Sequence, residues 1–305
     1  MNLLKIMISI SITISTIILL PNKMINTQKN LSSISTIIIL SQIIYIHIEA
    51  IQNSKTINII LTSSTNLSST NIKIENIKID YISTYLLILT TILITSCILI
   101  SKTTIYHSNK KLLCCLFTTL LILSITFTTT NTLIFYILFE SSIIPLIIII
   151  GIWGSRKEKI RAIYYFLLYT IIGSIPLFIV IITIKNKINT FNNSIIQNSD
   201  IEKTCNIILL LGLFLAFAIK TPLIPWHTWL PLAHVEAPAI GSVLLAGILL
   251  KLGAYGFLRF TIPLLPNTSK FTSPLIITIS IISLWLASLN SLRQNDIKRI
   301  IAYSS

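Results

Sequence analysis

Few residues of this 305-residue chain can do chemistry, because only 10% of it is charged. Three ionisable side chains interrupt apolar runs. Glu140 lies between Leu133 and Pro145, Lys220 closes the run from Leu209 to Ile219, and Lys251 lies within the run from Gly241 to Gly256. A charge at the centre of a membrane helix costs about 2.5–3.5 kcal/mol, so the three cost roughly 8–10 kcal/mol if simply added, which asks for a use. Proton transfer supplies one. Burial pulls the pKa of a lysine down and a nearby carboxylate pushes it back up. If Glu140 approaches Lys220 the ammonium is favoured, and if they separate the proton is released. Lysine suits this role better than arginine, which effectively never deprotonates. Snorkelling to an interface or a static ion pair is the alternative use of each charge.

A second group follows Lys220. The segment from Pro222 to Pro238 holds four prolines together with His227, His234 and Glu236. Two histidines and a carboxylate could ligate a metal, but the spacing is not a metal-ligand pattern. Proton relay or hydrogen bonding within the loop and purely structural capping stay open as its uses.

The elements that must hold these residues are helices. At 53% hydrophobic residues and a mean hydropathy of +0.87, a soluble globular enzyme is excluded, as is a disordered chain. Four cysteines are too sparse for a disulfide scaffold and are read as small apolar residues, Cys97, Cys114, Cys115 and Cys205. A hydrocarbon core of about 30 Å needs about 20 helical residues. Apolar length against polar breaks predicts helices near 3–20, 31–51, 79–101, 112–130, 132–152, 162–184, 206–219, 236–260 and 273–292, with a tenth starting about Ile297. Strands are not needed, since an open sheet edge cannot sit in lipid. The expected fold class is an all-α polytopic membrane helix bundle of nine to ten helices. The first run keeps no small-residue cleavage site after it and reads as a retained helix.

Eight residues into its helix, Glu140 lies roughly 12 Å from the helix start, near the bilayer midplane. Pro222 and Pro225 lack N–H groups and crowd the carbonyls four residues back, so the helix ending at Lys220 must break between Ala218 and Pro225. Such a break is tolerated where it lines a wet cavity or is buried in protein, and a helix C-terminus favours a cation. Lys251 lies roughly 22 Å along its helix counted from Glu236, among Gly241, Gly247, Gly253 and Gly256, which permit close packing.

The net charge of +14 does not form one basic patch, so nucleic acid is not indicated. The cations sit in loops, with Lys110, Lys111, Arg156, Lys157, Lys159, Arg161, Arg293, Lys298 and Arg299 on one side if the helices alternate. That side is the cytoplasm or matrix side. Arg293, Asp296, Lys298 and Arg299 read as a structural charged patch. Loops 52–78 and 185–204 read as connecting and variable. Tyr81, Tyr85, Tyr164, Tyr165 and Trp285 read as interfacial anchors or packing, and His47 with Glu49 as an interface position at a helix end. The dominance of Ile, Asn, Lys, Thr and Ser is read as coding bias in an AT-rich genome.

The stretches Phe135 to Pro145, Trp153 to Glu158, Ala216 to Pro222, Trp229 to Pro238, Lys251 to Gly256 and Arg293 to Ser304 resemble, in order, the chain 4 family of the respiratory NADH:ubiquinone oxidoreductase, complex I. The resemblance is strong over about 112–305 and faint before it. Single pieces also occur in Mrp-type cation/proton antiporters and membrane-bound hydrogenases. The resemblance implies a proton-translocating, antiporter-like membrane subunit with a first five-helix repeat over 112–260, three helices before it in 1–111 and the start of a second repeat over 261–305. It implies proton-transfer roles for Glu140, Lys220 and Lys251, and a less defined role for His227, His234 and Glu236. It assigns flavin, iron–sulfur clusters and ubiquinone to other subunits, and places the chain in the mitochondrial inner membrane, organelle-encoded, among lipids and other membrane-arm subunits. The chain stops where the second repeat begins, so a separate polypeptide packed at Ser305 is expected to supply the further helices, unless the chain is partial. The competing functions are a Mrp-type Na⁺/H⁺ antiporter subunit and a non-pumping scaffold.

Overall fold

In lipid, a backbone must satisfy its own N–H and C=O groups, and the apolar runs of this chain do so as helices. The structure, a computed structural model, describes residues 2–21, 25–53, 57–59, 77–103, 109–154, 157–197 and 203–305. In chain order the helices are α1 (Asn2–Leu19), α2 (Ile25–Asn53), α3 (Tyr81–Thr103), α4 (Asn109–Thr126), α5 (Thr132–Ser141), α6 (Ile143–Trp153), α7 (Lys159–Ile188), α8 (Asn193–Gln197), α9 (Lys203–Lys220) and α10 (Trp229–Glu236). They continue as α11 (Ala239–Leu244), α12 (Leu250–Gly256), α13 (Ile262–Leu264), α14 (Pro266–Leu292) and α15 (Ile297–Ser304). Two π-helical turns, Leu245–Leu249 and Phe257–Thr261, join α11 to α12 and α12 to α13.

Seven helical stretches among the described residues are long and apolar enough to cross a membrane, 26–49, 81–102, 109–126, 132–153, 159–188, 239–264 and 266–292, and the apolar parts of α1 and α9 are shorter. The chain is thus a multi-pass membrane protein of the all-α class. Strands β1 (Ile57–Ile59) and β2 (Ile77–Ile79) pair antiparallel, which the sequence reading did not foresee. They flank a polar loop and interrupt no apolar run. The expectations for loop 52–78 concern mostly residues 54–56 and 60–76, outside the described residues. The same holds for 198–202 in the second expected loop; the rest of that loop extends α7 and forms α8.

One expected helix, 132–152, is divided at Ser142. Pro145 explains it, because its ring crowds the carbonyl of Ser141, where α5 ends. Asn131 caps α5, its side chain accepting from Leu133 N–H at 3.0 Å.

Two compact units result, residues 1–142 and 143–305. In the first, α2 and α3 pack along their length. Lys29 Nζ donates to the Ser101 carbonyl at 2.6 Å, at the end of α3, and His47 shares a 2.8 Å hydrogen bond with Thr84 Oγ1. His47 is therefore buried against α3, with Tyr85 edge-on at 4.7 Å. Lys110 Nζ reaches the carbonyl of Ile18 in the last turn of α1 and that of Leu20 just after it. Such cations complete helix C-termini whose carbonyls have no partner within the helix.

In the second unit α9 lies against α7. A Cβ at Gly173 would meet Ile219 at 3.2 Å and one at Gly212 would meet Val180 at 2.6 Å, so both glycines set how closely the helices approach. Nearer the start of α7, Phe166 packs on Trp229 at the start of α10, with ring centroids 5.2 Å apart. Helix α14 has no buried residue in this chain.

Candidate functional site

Helix α9 ends at Lys220, and the next helical turn of this segment begins at Trp229, so the predicted break is present. Its physical problem is the last carbonyls of α9. The Phe217 carbonyl accepts from both Thr221 N–H and Thr221 Oγ1, each at 2.8 Å. The Ala218 carbonyl, crowded by Pro222, accepts from Leu223 N–H five residues on at 2.9 Å. The Ile219 carbonyl accepts from the indole N–H of Trp229 at 3.0 Å. Helix α12 packs closely on the turn: a Cβ at Gly253 would lie 2.6 Å from Thr221 Cγ2 and 3.0 Å from Thr221 N.

Lys220 is 1% exposed and closes α9, where the helix dipole favours its positive charge. A cleft of about 470 Å³ opens beside the break, lined among others by Thr221, Pro222 and His227, by Ser280 and Ser283 of α14, and by Tyr303 of α15. His227 is half-buried there, its ring facing Tyr303 at 6.4 Å.

Helix α10 carries the other two residues of the group. It forms in spite of Pro231, because a proline in the first turn removes an N–H that has no helical partner anyway. His234 and Glu236 occupy its last turns, 2% and 4% exposed, and their Nε2 and Oε2 atoms make no hydrogen bond among the described residues. Also among the described residues, no three His, Cys, Asp or Glu side chains gather as a metal-holding group.

Lys251 departs from the sequence reading. It was expected as a buried charge, but in this chain it points outward from α12 and is exposed. It follows the π-turn at Leu245–Leu249, and its Nζ lies 3.4 Å from the carbonyl of Ala246, five residues back. A π-turn shifts backbone carbonyls out of the α-helical ladder, which offers the side chain an acceptor. Glu140 lies at the end of α5, half-buried, and belongs to the first unit, whereas Lys220, His227, His234, Glu236 and Lys251 belong to the second.

The charged patch resolves into two separate contacts. Arg299 pairs with Asp296 at 3.5 Å, and Lys298 donates to the Ala237 carbonyl at 2.8 Å. Sequence reasoning missed Trp229. The available signal was its indole N–H, which needs an acceptor when the ring is buried in an apolar setting.

A family model described as NADH:quinone oxidoreductase/Mrp antiporter, transmembrane, matches residues 129–305. Among curated relatives, the NADH-ubiquinone oxidoreductase chain 4 of Prototheca wickerhamii is 52% identical over 166 residues, covering 54% of this chain and 32% of the relative. That of Arabidopsis thaliana is 49% identical over 166 residues, covering 54% of this chain and 34% of the relative. The match thus spans about a third of these relatives' length. A chain of respiratory complex I from Thermus thermophilus with bound NADH superposes with a TM-score of 0.82 at 22% identity, over 100% of this chain and 62% of that one. The fold is therefore that of an antiporter-like membrane subunit. With more than half its length matched by the family model, including the break, Lys220 and Lys251, the chain belongs to the NADH:quinone oxidoreductase/Mrp antiporter transmembrane family.

Proposed function

We propose that this chain provides a proton half-channel in the membrane arm of an NADH:ubiquinone oxidoreductase, driven by electron transfer from NADH to ubiquinone in other subunits. The carrying observation is Lys220, an amine buried at the end of α9, where the break fixes its backbone. A buried lysine is a proton carrier that a change in its surroundings can load or unload. Carbonyl bonds from Thr221, Leu223 and Trp229 stiffen the break, so the gain or loss of a proton need not unfold it. In this reading Lys251, on the outward side of α12, passes protons onward to whatever lies against that face. Glu140 is the carboxylate partner expected from the sequence, and His227, His234 and Glu236 serve as relay or loop support. In this reading flavin, iron–sulfur clusters and ubiquinone belong to other subunits. The location proposed is the mitochondrial inner membrane, with the gene in the organelle.

The test is Lys220→Met in the intact membrane complex, with NADH oxidation and proton uptake followed together in vesicles. Loss of proton translocation in an assembled complex supports the reading, and unchanged translocation overturns it in favour of a scaffold. A Na⁺-dependent pH change that persists without NADH would instead support Na⁺/H⁺ exchange.

A further inference from the structure

We propose that Lys298 is a positioning residue that ties the joint between α10 and α11, and so sets where His234, Glu236 and Lys251 stand. The inference rests on the proton-transfer reading above. The joint is two residues long. Ala237 leaves α10 in an extended conformation (φ −67°, ψ 142°), its N–H still bonded to the Ala233 carbonyl, and Pro238 opens α11 with φ −62° and ψ 164°. Pro238 has no N–H and Ala237 is fully buried, so a carbonyl at this point needs a donor from elsewhere. Lys298 Nζ supplies it at 2.8 Å, a charge-assisted bond of the stronger kind.

The lysine is held in place for this. It is the second residue of α15, which packs against both α10 and α14. The neighbouring cation, Arg299, is already engaged with Asp296 at 3.5 Å. At the other end of α15, Tyr303 faces His227 ahead of α10. The short helix thus touches both ends of the segment that carries His234 and Glu236, with the lysine at the end nearer to them. The Lys298 ammonium also acts electrostatically on His234. On the far side of the tie, α11 leads through the π-turn to Lys251. A hinge of two residues without this bond would leave the two helices, and the groups they carry, free to drift. A misplacement of about 1 Å can cost on the order of a hundredfold in a proton or group transfer.

The experiment compares Lys298→Met, Lys298→Arg and Lys220→Met in the intact membrane complex, reading assembly, NADH oxidation and protons translocated per NADH. The expected result is an assembled Lys298→Met complex whose proton yield falls about tenfold or more, with most of it restored in Lys298→Arg, which keeps a charged donor. A Lys298→Met complex that pumps like the parent overturns the proposal. So does one that assembles poorly yet pumps normally per assembled complex. If Lys298→Met does not assemble, Lys298→Gln decides by the same criterion, and failure of both to assemble overturns the positioning role in favour of a folding role. Normal pumping in Lys220→Met would instead sink the proton-transfer reading. Loss in Lys220→Met beside normal pumping in Lys298→Met would overturn only the tie.

Discussion

Lys220 on α9 and Lys251 on α12, both in the second unit, stand where the chain leaves the regular α-helix, and it does so there by different means. Two prolines end α9, and the freed carbonyls are taken up by Thr221, Leu223 and Trp229, leaving Lys220 buried. No residue in the helix of Lys251 ends it. A π-turn of ordinary residues, Leu245 to Leu249, precedes the lysine, which faces outward with Ala246 as its acceptor. The first lysine thus has its setting built by this chain. The second borrows one carbonyl and otherwise points away from the described residues of this chain. The difference teaches that a charge in an apolar run says where energy is spent, and not which surface the charge will face.

The sharpest way to break this comparison is to remove each amine in turn. For Lys220→Met, the proton-transfer reading expects a loss of translocation of about a hundredfold in the assembled complex. The melt should fall as well, because removing a buried amine leaves the groups that hold it without their partner. Proton uptake by vesicles and a thermal melt of the solubilised complex check the two halves. For Lys251→Met a smaller loss, about tenfold, is expected, with no change in the melt, since the side chain fills no space inside this chain. Equal damage to stability in both variants would erase the distinction between a built setting and a borrowed one.

Much of this was legible in the sequence, and what was not has a physical reason. The break at Lys220 could be read because Pro222 and Pro225 act together. Single prolines did not stop α7 at Pro176 or α14 at Pro274. Helix α10 was hidden by the same signal, since Pro231 looks like a breaker until it is seen to occupy the first turn. The π-turns carry no compositional mark. The outward face of Lys251 could not be read at all. Lipid is as apolar as a protein interior, so a membrane helix need show no contrast between its two sides, and α14, long and apolar enough to cross a membrane yet nowhere buried, is the extreme case. The contacts of His47 and Lys298 were missed because they join residues far apart in the chain.

The next effect belongs to the break itself. In Trp229→Phe the ring that packs on Phe166 is largely kept, but the Ile219 carbonyl loses its indole donor next to Lys220. An unsatisfied buried carbonyl costs about 1–3 kcal/mol, so the melt of the complex should fall and proton translocation should fall with it. A variant that melts lower yet pumps normally would separate the stiffness of the break from the work of Lys220. An unchanged melt would mean that the Ile219 carbonyl does not depend on the indole.

The smallest effect is expected one residue past the lysine. Thr221→Val keeps the branched shape that rests against Gly253 and removes only the hydroxyl, which reaches the Ala218 carbonyl at 3.4 Å and bonds the Phe217 carbonyl at 2.8 Å. That carbonyl still has the Thr221 N–H at 2.8 Å, so no acceptor is orphaned and the cost should be about 0.5–1 kcal/mol, with pumping near that of the parent. The pair therefore ranks the donors at the break by whether each carbonyl has another one in reach. If Thr221→Val proved as damaging as Trp229→Phe, the hydroxyl would have to do more than bond a carbonyl that is already held. The cleft it lines beside His227 would then be the place to look for that use.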